Sequence, residues 1–444
     1  MVGVAKQRVE GTDWRTGMST QFSTVAIVGS GPAGMACGYF LHKKYDIAVY
    51  EKSDYAGGHA HSVTINEDGT PVNIDTAFVI FNPKNYPLFN RLLTELGVGS
   101  RKAPMFISFQ HAPSGLEYAL PGFTRLFADV RNLFSMPFLR MVLQIWRFQN
   151  EAVEILEDRR RERQSIADYV RERGYGEDFL HNYLAPTISG LWSLPSEGVM
   201  NYPAMTLVTY LKNHELLHRS MYFVNHWRTI INGSASYRDK IIIPFKERIQ
   251  LNRGVTRVLR ENGTVTVIDD TGERKVFDRV ILACHADQAL SLLEPPTPQE
   301  KSVLSKFKYA PTRVILHTDS SVMPRRRRAW SSWNYLFDYD SDRRPTASFT
   351  YYMNMVQRLS SKRNYFITVG DRGRINPSKI LSEYNYEHPI FDYETVHAQT
   401  ELGELNKNGQ IYFAGSYFKY GFHEDAFRSG VEVCRLITGE RIWA

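Results

Sequence analysis

The sequence predicts an α/β fold in two discontinuous parts: a parallel sheet flanked by helices, and an α+β part with an antiparallel sheet. Three observations lead there. The apolar run Val25-Ala26-Ile27-Val28 opens into a glycine turn, a helical pattern and a second apolar run, Ile47-Ala48-Val49-Tyr50. Residues 105–228 carry helical periodicity, and residues 303–369 alternate apolar and polar positions. These last two stretches interrupt the first kind of pattern, and a chain of 444 residues exceeds what one core ordinarily serves.

Taken in order, Val25–Val28 suits a strand buried on both faces. Gly29-x-Gly31-x-x-Gly34 follows, then Met35–Leu41 as a helix. One glycine permits the tight turn, one lets backbone amides approach a pyrophosphate, and one lets helix and strand pack closely. The helix N-terminus adds amides and partial positive charge. The second strand ends at Glu51, about 20 residues past the first glycine, where an acid accepts hydrogen bonds from an adenosine ribose and repels a 2′-phosphate. Strand, glycines, helix, strand and acid together predict a Rossmann-like dinucleotide site.

A second glycine pair, Gly57-Gly58, stands close behind Glu51, followed by His59. With it the sequence resembles the FAD-dependent amine oxidase superfamily, along most of the chain. Asp75–Val79, the turn at residues 229–239, the segment 241–285 and Ile411–Gly415 resemble its successive cofactor-domain segments. More narrowly, GGHAHSV, HADQAL and FAGSYFKYGFHED resemble a bacterial subgroup of NAD/FAD-binding, amine-oxidoreductase-like proteins. Genes of that subgroup often lie beside cyclopropane-fatty-acid synthase homologues. The resemblance implies FAD, contacted by Gly29, Gly31, Pro32, Ala33, Gly34, Glu51, Lys52, Gly57, Gly58, His59, Val255, Gly415, Ser416 and Phe422. Val255 would meet the adenine through its backbone. Two departures stand out: His59 replaces the family's frequent Arg, and Ser416 its frequent acid. The implied FAD-binding domain comprises residues 23–104, 229–292 and 400–444. A substrate-binding domain comprises 105–228 and 293–399. Residues 1–22, polar and without an apolar core, read as a flexible tail.

The same resemblance aims the helix after Gly421 at the pyrimidine edge of the flavin, where fixed amides stabilise negative charge. Tyr417, Phe418, Tyr420 and Phe422 would then lie near the ring. Tyr420 and His423 are the candidate catalytic residues; ordinary core packing and a structural histidine are the alternatives. His59-x-His61 lacks a third ligand at a useful spacing, so no metal is expected. Cys37, Cys284 and Cys434 read as reduced core filler.

Leu139, Val142, Leu143, Trp146, Val153 and Leu156 recur at helical spacing, ending in Arg159-Arg160-Arg161. Residues 179–214 read as a further helical block broken at Pro186, Pro195 and Pro203. The chain carries 54 Lys and Arg against 47 Asp and Glu, a net +7, mostly interleaved, which does not point to nucleic acid. No stretch reaches the roughly 18 apolar residues of a membrane span, and a cytoplasmic protein is expected. The run Met323-Pro324-Arg325-Arg326-Arg327-Arg328-Ala329-Trp330 is either a solvated loop or a dock for anionic lipid head groups at the membrane's inner face. The expected function is FAD-dependent oxidation or isomerisation of a hydrophobic, acyl-type substrate. The alternatives are oxidation of an amine C–N bond and a non-catalytic flavin subunit of a lipid-modifying complex.

Overall fold

The computed structural model describes residues 23–192, 200–213, 216–217, 226–339, 345–407 and 409–443. At its centre is a five-stranded parallel sheet, in the order Ile411–Phe413, Arg279–Leu282, Thr24–Val28, Asp46–Tyr50, Ile249–Gln250. Ile27 pairs with Ile281 on one side and Val49 on the other. The strands are apolar throughout because each face is covered by a different layer. Val25, Ile27, Val49 and Ile281 face the helices Pro32–Leu41 and His423–Thr438. Ala26, Val28, Val280 and Leu282 face a four-stranded sheet whose core is Val258, Val265, Val267 and Phe277. The two helices touch where Gly430 lies over Ala33; a Cβ there would sit 2.4 Å from the Ala33 carbonyl oxygen.

The second part is a seven-stranded sheet ordered Ile380–Ile390, Lys308–His317, Phe366–Val369, Pro345–Tyr352, Trp333–Tyr339, Ile107–His111, Leu116–Leu120. All its pairs are antiparallel except Trp333–Tyr339 with Ile107–His111. The helices Met136–Glu151, Ile166–Glu172 and Ala204–Asn213 contribute to the core on this side through Phe138, Phe148, Tyr169 and Leu207. Every strand of the parallel sheet comes from residues 23–104, 229–292 or 400–444, and every strand of the seven-stranded sheet from 105–228 or 293–399. Leu293–Glu294, just past the expected boundary, still pairs with Val258–Leu259 in the small four-stranded sheet.

Pro186 does not break its helix. The preceding turn, Leu180–Leu184, is wound as a π-helix with Ala185 N–H donating to Leu180 O, and Ala185–Trp192 continues from it. The wider turn absorbs the proline, whose ring removes a donor and crowds the preceding turn. The expected break at Pro195 and the tail at 1–22 lie outside the described residues.

The arginine run divides by function. Arg326 turns inward and pairs with the buried carboxylates of Glu117 and Asp129 at 3.1 and 2.8 Å. Arg325, Arg327 and Arg328 are exposed. Trp330, expected at a wet boundary, is buried against Met323 and Phe366, its Nε1 donating to Pro324 O at 2.8 Å. The loop reverses there, and an indole whose N–H finds a local carbonyl is more stable inside. Among the described residues, no helix is long and apolar enough to cross a membrane.

Candidate active site

All five parallel strands deliver their carboxyl ends to one edge, where open α/β sheets bind ligands. Gly29 leaves the first strand with φ +97°, and a Cβ there would lie 2.6 Å from Ala283 O. A Cβ on Gly34 would lie 1.9 Å from Gly29 O, so helix and turn meet only through glycine. Gly31 differs: a Cβ added to it meets no atom within 4 Å. Across from it, a Cβ on Gly58 would come 3.2 Å from Gly31 Cα. Gly31 and Gly58 therefore border an open cradle at the N-terminus of helix Pro32–Leu41.

Glu51 is fixed by hydrogen bonds from Ser30 N at 2.9 Å, Ser30 Oγ at 2.6 Å and Ser53 N at 2.9 Å. The glycine turn and the acid are thereby a single unit. Arg253 N donates to Glu51 O, and a Cβ on Gly254 would touch Lys52 Cβ at 3.4 Å. Val255, at the start of the next strand, consequently lies beside the Glu51-Lys52 corner.

Beyond Gly58 the chain packs against the edge strand Ile380–Ile390, and this junction at the carboxyl edge is the candidate substrate cleft. The His59 ring lies 4.9 Å from Tyr386 and 5.6 Å from His388. Burial holds His59 neutral, down to about 4, with His285 adding to the shift. Burial likewise takes His285 to about 4 and His388 to about 3. His61 diverges from His59 and joins Thr76 Oγ1 at 2.8 Å, which bonds Tyr386 Oη at 2.6 Å.

The closing segment follows strand Ile411–Phe413. Gly415 N donates to Ser429 Oγ at 2.8 Å, and a Cβ on Gly415 would strike the Tyr417 ring at 2.4 Å. Ser416 O accepts from Lys419 N and Gly421 N, closing the turn. Asp425 reaches back from the helix's first turn to accept from Tyr420 N and Phe422 N at 3.2 and 3.1 Å. Burial raises its carboxyl to about 6. Glu424, raised to about 7 by burial, caps helix Pro87–Glu95 through Leu88 N and Phe89 N. His423 stacks on Phe78 at 3.8 Å and hydrogen-bonds Tyr237 Oη. Burial brings it down to about 3. Its Nε2 is thus engaged inside the nucleotide-binding part, the packing alternative considered for this residue. Phe422 stacks on Tyr210 at 4.9 Å, and the Tyr420 backbone N–H is tied to Asp425 in the same turn.

The family model for flavin containing amine oxidoreductases matches residues 32–358. The chain belongs to the flavin-containing amine oxidoreductase family. Solved structures agree in fold. A putrescine oxidase bound to putrescine has a TM-score of 0.66 at 16% identity, covering 95% of this chain and 100% of that one. A CLA-producing fatty acid isomerase from P. acnes gives 0.64 at 14%, covering 95% and 99%. Cyclohexylamine oxidase from Brevibacterium oxydans gives 0.65 at 14%, covering 95% and 100%. A search of curated protein sequences found no match.

As a member of this family the chain is an FAD-dependent oxidoreductase. The residues present fit that cofactor on an independent structural ground. Gly31 faces open space where a side chain would intrude, while Gly29, Gly34 and Gly415 are barred from side chains by protein atoms alone. A turn that stays open at one glycine only, at a helix N-terminus, suits a pyrophosphate.

Sequence reasoning missed His285, His388, Tyr386 and Tyr210. His285 could have been found, since it stands three residues past the end of strand Arg279–Leu282, at the carboxyl edge. His388 and Tyr386 come from another sheet and carry no local signal. Ser30 was also missed as the group that orients Glu51.

Proposed function

We propose that this oxidoreductase acts on a hydrophobic, uncharged carbon chain of the fatty-acyl kind. The observation carrying this reading is that the acids nearest the cleft are already spoken for. Asp425 accepts from Tyr420 N and Phe422 N. Glu424 is held by two backbone amides and Arg428. Asp75 accepts from Ser62, Ser234 and Gln357. Glu387, on the edge strand Ile380–Ile390, lies 3.3 Å from His285 Nδ1 and accepts from Gln288 Nε2, which leaves neutral histidines and aromatic rings facing one another. Such a lining desolvates an alkyl chain without cost, whereas an ammonium ion entering it would lack a counter-charge. The fold hosts this chemistry elsewhere, since one structure that shares it is named a fatty acid isomerase.

Gly31, Gly58, Glu51 and the amides of helix Pro32–Leu41 would hold the cofactor's pyrophosphate and ribose. FAD, when bound, supplies a two-electron hydride acceptor that can also return the hydride. The chain's own residues position the substrate and exclude water. His59 and His388, kept neutral by burial, line the alkyl chain; their lowered basicity makes them poor acceptors for the proton that leaves the neighbouring carbon in a desaturation. An isomerisation returns both hydrogens and closes without an external electron acceptor. Amine oxidation is the second reading. It is favoured by the Tyr210–Phe422 stack, since aromatic faces attract cations.

Anaerobic mixing of the holoenzyme with unsaturated fatty acids, and separately with putrescine and cyclohexylamine, tests the choice. Acyl compounds should bleach the flavin absorbance or emerge with a shifted double bond. Bleaching by the amines alone would overturn the acyl reading.

A further inference from the structure

The patch that the cleft does not use lies on the outer face of the second part. Helix Met136–Glu151 has two apolar stripes where a surface helix has one. Phe138, Met141, Ile145 and Phe148 point into the core, while Met136, Leu143 and Trp146 point to solvent. The turns before it add Phe123, 64% exposed, and Phe134, 86% exposed. Scattered single apolar residues need no explanation, but a contiguous group along one segment marks an interaction site.

Arginines border this group. A cavity of about 660 Å³ opens beside Phe123, lined by Arg125, Arg327, Arg328, Trp330 and Tyr352 among others. Arg327 lies over the Trp330 ring at 4.0 Å, and Arg125 donates to Trp330 O at 2.8 Å. Arg140, Arg325, Arg327 and Arg328 are exposed and form no ion pair with an acid among the described residues. Residues 123–147 and 323–330 together hold eight arginines and a single acid, Asp129. That acid is buried and is paired with Arg326 and Arg131. Arg326 ties the two segments into one surface by bridging Asp129 and Glu117.

We propose that this face docks on a bilayer bearing anionic head groups, with the exposed arginines at the phosphates and Phe123, Phe134 and Met136 in the acyl boundary. Charge decides among occupants. A second copy of the chain would set arginine against arginine across a two-fold contact, since this surface offers no free acid of its own. A bilayer supplies both the missing negative charge and the apolar layer. The inference stands on this face alone and holds whatever substrate the cleft takes.

The test is co-sedimentation of the holoenzyme with phosphatidylcholine vesicles and with vesicles of equal parts phosphatidylcholine and phosphatidylglycerol, at low and high salt. Each arginine at such a surface is expected to contribute about fivefold to partitioning. The variant Arg325→Gln/Arg327→Gln/Arg328→Gln should therefore bind anionic vesicles about a hundredfold more weakly. Phe134→Ser should lose about tenfold, since it removes the most exposed ring. Neither variant should change flavin content, and the melting temperature should hold for Phe134→Ser and fall by at most about 1 °C for the triple variant, which loses the Arg327–Trp330 ring contact. The proposal is overturned if the wild type ignores lipid charge and salt, or if neither variant weakens binding. It is equally overturned if the face instead mediates self-association that Phe134→Ser abolishes in sedimentation velocity.

Discussion

Gly31 and Gly34 are three residues apart in one turn, yet the structure predicts opposite consequences for filling them. Gly31 has φ −62° and ψ −175°, an extended conformation open to any residue. A Cβ there meets no atom within 4 Å. Gly31→Val should leave the stability of the cofactor-free protein within about 0.5 kcal/mol of wild type. The same side chain occupies the cradle between Gly31 and Gly58, so FAD should no longer bind. Gly34→Ala places its methyl 1.9 Å from Gly29 O, a backbone atom held in the strand's exit turn. Helix and strand must separate, at about 3 kcal/mol. Thermal melts of flavin-stripped protein, with and without added FAD, resolve the two effects. At FAD a hundredfold above its Kd, binding adds about 2.7 kcal/mol. That raises the wild-type melting temperature by about 3 °C for a chain of 444 residues. Gly31→Val should melt with the cofactor-free wild type and show no rise, whereas Gly34→Ala should melt about 3 °C lower before any FAD is added. Gly31→Val retaining stoichiometric FAD, or melting as low as Gly34→Ala, would refute the argument that the turn is open at Gly31 alone.

Acidification provides a second check. His423 has its folded pKa lowered to about 3 by burial, below the unfolded value of about 6.5. Its contribution is therefore present above pH 6.5 and is lost as pH falls from there toward 3, by on the order of 3 kcal/mol at pH 4. Melting curves across that range should fall less steeply for His423→Gln than for wild type, and equal slopes would exclude a buried neutral His423. Within the arginine run, Arg326→Gln should cost about 2 kcal/mol, because it removes the guanidinium shared by Glu117 and Asp129 but leaves Arg131 on Asp129 and two backbone amides on Glu117, while Arg328→Gln should be neutral in urea unfolding. Asp75→Ala removes the acceptor shared by Ser62, Ser234 and Gln357. It should lower stability by about 3 kcal/mol, measured as a shift in denaturation midpoint.

The sequence by itself determined the cofactor half. Val25–Val28, the three glycines, Glu51 and the pair Gly57-Gly58 lie within one local stretch, and the pattern is legible there even where the contact that excludes a side chain is distant, as Ala283 O is for Gly29. A carbonyl at 1.9 Å admits only glycine at position 34, so the constraint is legible in the residue itself. What only the tertiary structure decided is what faces the cofactor edge. His59 meets His388 and Tyr386 across more than 300 residues of chain, because an edge strand of the antiparallel sheet happens to end against the parallel one. Neither histidine carries a local mark of that meeting, and burial, with a neighbouring imidazole adding to it in each case, makes both neutral. The arginine run shows the same division. Four identical side chains in a row read as one feature, yet the fold turns Arg326 onto two buried carboxylates and leaves Arg325, Arg327 and Arg328 exposed. Likewise Trp330 turns inward, and the exposed aromatic ring comes instead from Phe134, nearly 200 residues earlier in the chain. Side-chain identity states which contacts a residue can make. Which of them it does make depends on partners that only the packing of distant segments brings within reach.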